Sequence, residues 1–173
     1  MRERILWIDV IRGISILAMI TFHFAFDMMY FGFAKPDLIY QPDWRLFERL
    51  IAFSFLFIAG LSLSITHGAS INWKSFIRRY GVTAICAVLI STVTYVLFSD
   101  DMIRFGILHA ISVSGLIGLL LLKLNTFPLV LLAIMICFIN INIPKPLDGH
   151  YFWQWLIYTT DTPNSLDYRP IVP

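Results

Sequence analysis

Charge is what this chain has least of. Only 14% of its 173 residues are Asp, Glu, Lys or Arg, against about a quarter in ordinary soluble domains. The net charge is +2 with the basic residues scattered, which excludes the basic patch that nucleic-acid binding needs. Cysteine is equally thin. Cys86 and Cys137 each sit in the middle of an apolar run, too far apart for a disulfide framework or a metal site, and read as small buried hydrophobes. The sequence also has no GxSxG, no glycine-rich phosphate loop, no HExxH and no CxxC, so the common soluble-enzyme chemistries have no anchor in it. It shows neither an internal repeat nor a low-complexity tract.

Apolar side chains fill the gap. They make up 58% of the chain, aromatics 16%, and the mean hydropathy is +0.77. A helix needs roughly 20 apolar residues to cross about 30 Å of hydrocarbon. Five segments meet or approach that length: about 6–31, 47–67, 76–98, 104–122 and 126–143. The first is not a signal peptide, because charges interrupt its core, no small-residue cleavage site follows and the run is too long. The stretch "AKPDLIYQPDW" (34–44) reads as an interfacial loop and "HGASINWK" (67–74) as a turn. "YFWQWLIY" (151–158) is too short to span and rich in Trp and Tyr, so it reads as an interfacial helix. At this length one domain covering 1–173 is expected. The fold class is therefore all-α: a polytopic membrane helix bundle of about five transmembrane helices plus an interfacial helix.

Orientation follows from the basic residues. With the N-terminus inside, that side carries Arg2, Arg4, Lys74, Arg78, Arg79 and Lys123, and the other Lys35, Arg45, Arg49, Arg104, Lys145 and Arg169. Arg49 and Arg104 lie at the openings of apolar helices and are better reserved for a site. Without them the balance favours a cytoplasmic N-terminus in the cell (inner) membrane, with "KSFIRR" the densest basic cluster.

The first segment, "LWIDVIRGISILAMITFHFAFDMMYFGF", carries four ionisable residues: Asp9, Arg12, His23 and Asp27. At 100° per residue they fall in a stripe roughly 60° wide. A charge at the bilayer centre costs on the order of 3 kcal/mol, so such groups are expected to turn inward and find partners. Asp9 and Arg12 are spaced i,i+3 for an ion pair. His23 and Asp27 are spaced i,i+4, so the carboxylate could fix one ring nitrogen and leave the other as a base. The two pairs stand roughly 21 Å apart along the axis. In the second segment Ser54, Gly60, Ser62 and Ser64 suit close helix packing. Arg104 and His109 open the fourth, about 140° out of line on a straight helix, and His109 suits a structural hydrogen bond as well as chemistry. On residues alone, a proton-coupled transporter or a structural membrane subunit fits this pattern as well as an enzyme does.

Four stretches in order carry a resemblance. "IDVIRGISILAMITFHFAFD" resembles the first helix of the heparan-alpha-glucosaminide N-acetyltransferase catalytic-domain family, and "FLFIAGLSLSI" (55–65), "IRFGILHAISVSGL" (103–116) and "DYRPIVP" (167–173) continue it. Arg12 followed by His23 also looks like the arginine–histidine spacing of the wider transmembrane acyltransferase group. The resemblance implies an acyl-CoA-dependent membrane acyltransferase, N- or O-directed, moving an acetyl group from acetyl-CoA across the membrane to a sugar or cell-envelope glycan. It implies that His23 is the essential histidine, as general base or covalent acyl carrier, with Asp27 orienting it. Asp9 and Arg12 match the family's D-x-x-R and would hold the helix or engage the anionic part of CoA. Arg104 and His109 match its F-G-I-L-H segment and are assigned to the donor. No metal is implied. The partners expected are the donor, a saccharide acceptor and the bilayer, with homo-oligomerisation open. In the family the proline-rich segment leads into a further transmembrane helix, so the chain is expected to be C-terminally truncated.

Overall fold

The computed structural model describes residues 5–68, 70–97, 103 and 105–142. The expectations for Arg104, for the 151–158 interfacial helix and for the 167–173 tail fall outside them. Among the described residues there are five α-helices and no strand: α1 (Leu6–Tyr30), α2 (Pro42–His67), α3 (Trp73–Leu97), α4 (Ile107–Leu121) and α5 (Thr126–Asn142). A short 3₁₀ turn, Leu38–Tyr40, lies between the first two.

α1, α2 and α3 are long and apolar enough to cross a membrane. α4, at 15 residues, reaches only about 22 Å. By length and composition, the expected five crossings narrow to three among the described residues. Large side chains such as Leu17, Phe24, Phe53, Ile85 and Val96 lie exposed on the three long helices, as a lipid-facing surface requires.

Local chemistry sets the helix ends. α1 stops in a Schellman motif: the Gly32 N–H reaches the Met29 carbonyl at 3.1 Å and the Phe33 N–H the Met28 carbonyl at 2.8 Å. That turn needs a left-handed residue, and Gly32 supplies it with φ +78°. α2 begins five residues before the expected boundary, because Pro42 takes the first helical position, where its missing N–H costs nothing. Much of the expected 34–44 loop is thus the 3₁₀ turn and the start of α2. α3 is capped by Asn72, whose Oδ1 accepts the Ser75 N–H at 3.0 Å.

The chain divides into two compact units, 1–61 and 62–173. In the first, α1 packs on the 3₁₀ turn, and Phe22 and Phe47 both contact Trp44. In the second, α3 packs on α4 around a cluster of Leu63, Phe76, Tyr80 and Leu119. Close approach there depends on Gly115, against which the Tyr80 ring lies. Gly118 faces Leu63. Gly60 departs from the close packing expected of it: a Cβ there would meet nothing within 4 Å among the described residues. Cys86 also departs from expectation: it is exposed on α3, not buried.

The α2–α3 turn holds a buried histidine, His67. His67 is 3% exposed, its Nδ1 accepts the Asn72 N–H at 3.2 Å, and its ring meets Phe76 edge-on. Asn72→Ala is expected to cost about 1 kcal/mol by losing the cap. His67→Ala is expected to cost about 1–3 kcal/mol by orphaning the Asn72 N–H. Thermal unfolding of the purified protein checks both, and an unchanged midpoint for His67→Ala would contradict this account of the turn.

Candidate functional site on the first helix

The side of α1 that is buried carries Ile8, Ser15 and Ala25. On the helical wheel these lie roughly 40–140° from the nearest edge of the charged stripe, so the stripe borders the packed side without being its centre. Asp9, His23 and Asp27 are exposed and Arg12 is half-buried. The stripe was expected to turn inward; its members lie on the more exposed side of α1, beside the side that carries Ile8, Ser15 and Ala25. A spanning helix with such a face must meet water or further protein there, because hydrocarbon would cost about 3 kcal/mol per charge.

The N-terminal pair forms as expected. Arg12 Nη1 donates to Asp9 Oδ1 at 2.9 Å. Both partners are substantially exposed, so the pair itself stabilises little. A double-mutant cycle with Asp9→Asn and Arg12→Gln is expected to give a coupling of about 0.3–0.5 kcal/mol in thermal unfolding. A coupling of about 2 kcal/mol or more would contradict an exposed pair.

The second pair is placed but not joined. His23 and Asp27 share the stripe one turn apart, yet no hydrogen bond or ion pair links them among the described residues. The His23 ring instead packs edge-on against Phe22, with centroids 6.1 Å apart. Phe22 in turn leans on Trp44, at 6.2 Å, so an aromatic wall flanks the histidine.

His109 sits at the start of α4. Its Nδ1 accepts the Gly106 N–H at 3.3 Å and its Nε2 sits 3.4 Å from Ser91 Oγ. Both ring nitrogens are therefore engaged with the chain, the structural role that sequence had weighed beside chemistry. Arg104 lies outside the described residues. Among the described residues, no three His, Cys, Asp or Glu side chains converge as a metal ion would require.

Spanning-length helices, an open charged stripe and an all-helical fold define a polytopic membrane protein. The chain matches the family described as heparan-alpha-glucosaminide N-acetyltransferase, catalytic, over residues 4–173, and it belongs to that family. Membership makes acetyl transfer in a membrane the activity implied. No curated protein and no solved structure matches the chain.

Proposed function

We propose that the protein transfers an acetyl group from acetyl-CoA to an amine or hydroxyl of a saccharide, with His23 as the general base. The observation that carries the reading is the exposed His23 ring, without a hydrogen bond among the described residues, on a spanning helix of an acetyltransferase family. Acetyl-CoA supplies the acyl group as a thioester. His23 takes the acceptor's proton as the acceptor attacks the thioester carbonyl. The new C–N or C–O bond forms, the C–S bond breaks, and the proton passes from the imidazolium to the departing thiolate. Asp27, one turn on, stabilises the imidazolium once the ring swings toward it.

The stripe's length suits such a donor. Arg12 offers a cation for the nucleotide phosphates, and CoA joins phosphates to sulfur through a long extended arm. The roughly 16 Å along the axis between Arg12 and His23 calls for a donor of that shape. Asp9 keeps the guanidinium oriented for it. A cytoplasmic N-terminus in the inner membrane puts Arg12 on the side where CoA is found, and His23 toward an envelope glycan.

Thiol release from acetyl-CoA by the purified protein, with a panel of amino sugars and neutral sugars, tests the reading. Sugar-dependent release is expected. Release without sugar, or none at all, would contradict acetyl transfer to a saccharide. With labelled acetyl-CoA and no acceptor, a general base leaves no label on the protein, whereas label retained at His23 would make it the acyl carrier.

A further inference from the structure

The second unit carries its described charge at one end. The sequence has no Asp or Glu between Glu48 and Asp100, and none between Asp101 and Asp148. The described Lys and Arg residues of this unit are Lys74, Arg78 and Arg79, in the first two turns of α3, and Lys123, two residues past the end of α4. α3 and α4 run antiparallel: His109 meets Ser91, Gly115 meets Tyr80, and Leu119 packs with Phe76 in the buried cluster. The end of α4 therefore lies beside the start of α3, and Leu122 packs against the same cluster. All four cations are exposed at that end, and none is in an ion pair among the described residues.

Helical position shows what they face. Measured from Lys74, the buried residues Phe76, Tyr80 and Ala87 fall at roughly 200–240° and mark the side of α3 that packs. Arg78, Val82, Ile85, Leu89 and Val96 fall at roughly 20–80°, on the opposite side, and all are exposed. Lys74 and Arg78 thus head an exposed apolar stripe. From Arg78 to Leu89 it runs about 16 Å, close to one leaflet of a hydrocarbon core about 30 Å thick. Like charges one helical turn apart repel, and an anion between them relieves the repulsion. Trp73, also exposed, stands next to Lys74, and tryptophan favours the headgroup level.

We propose that this end of α3 binds an anionic phospholipid, with the phosphate between Lys74 and Arg78 and an acyl chain along Ile85 and Leu89. The proposal goes beyond acetyl transfer and does not depend on it. Cations alone would serve a soluble phosphate equally well; the apolar stripe that continues from them is what selects an amphiphile. Arg79 and Lys123 add positive potential at the same level, and the described part of the unit has no carboxylate to offset it. Each such cation near a membrane surface strengthens binding to anionic lipid about fivefold.

The test is native mass spectrometry of the purified protein in detergent, titrated with phosphatidylglycerol and with phosphatidylcholine of the same acyl chains. Phosphatidylglycerol is expected to bind about tenfold more tightly or better. Lys74→Gln combined with Arg78→Gln should weaken phosphatidylglycerol binding by about 25-fold and leave phosphatidylcholine within about twofold. Lys35→Gln combined with Arg45→Gln removes two exposed cations from the first unit and should stay within about threefold of the parent. Arg78→Gln alone, with an expected loss of about fivefold, stands in if the double variant does not fold. Inorganic phosphate at the same concentration should leave the bound lipid in place. Equal affinity for the two lipids would overturn the proposal, as would undiminished phosphatidylglycerol binding in the Lys74 and Arg78 variants. An equal loss in the Lys35 and Arg45 variant would reduce the effect to general charge attraction and overturn it too. Displacement by inorganic phosphate would give the cations to a soluble anion, and a lipid-free dimer would give the face to a second copy of the chain; either result rejects the lipid.

Discussion

His23→Ala is expected to lower acetyl transfer by about 10²–10⁴-fold, the range a positioned general base contributes. The fall should be in kcat, with the KM for acetyl-CoA little changed, because Arg12 remains. Stability should barely move. His23 is exposed, and among the described residues its ring has an edge-on contact with Phe22 and no hydrogen bond to lose. Turnover within tenfold of the parent, in a variant that unfolds at the parent's temperature, would remove His23 from the chemistry. Asp27→Asn separates two roles for the carboxylate. In the structure it does not hold the ring, so a loss of about tenfold or less is expected if it acts only through its charge. A loss as large as that of His23→Ala would mean that the ring turns to Asp27 when substrates are bound.

Much of this architecture is legible in the sequence, and the reasons differ by element. α1, α3 and α5 lie within three residues of their expected ends, because long apolar runs broken by Gly32, Asn72 and Pro128 leave little freedom. The start of α2 departs from expectation, because a proline suits a first helical position as well as a loop and Pro42 takes the former. The Asp9–Arg12 pair was readable from spacing alone, since i,i+3 neighbours on a helix meet whatever else the chain does. Which side of α1 the stripe faces was not readable. That depends on where Ile8, Ser15 and Ala25 find partners, a tertiary fact that helical periodicity cannot carry. His67 gave no signal for a related reason. A histidine at a helix end gains its role only from the backbone group that the fold brings to it.

Gly115→Ala is expected to destabilise the second unit by about 1–3 kcal/mol, and Gly115→Val by more. An added Cβ falls on the Tyr80 ring, against its Cδ1, Cε1 and Cζ atoms. The ring cannot easily yield, because Phe76 packs on it with centroids 4.5 Å apart and both residues are buried. Gly118→Ala provides the contrast. Its Cβ would meet only Leu63 Cδ2, at 2.8 Å, the mobile end of a flexible side chain, so a cost below about 1.5 kcal/mol is expected. In a membrane such contacts weigh heavily, since lipid tails are as apolar as the helices and packing, not water exclusion, holds them together. Tyr80→Phe should not rescue Gly115→Ala, because the clash is with the ring and not the hydroxyl. Tyr80→Leu should rescue it in part, and a double-mutant cycle in thermal unfolding would show the coupling. If Gly115→Ala instead melts with the parent, the close approach of α4 to Tyr80 is not what holds these helices together.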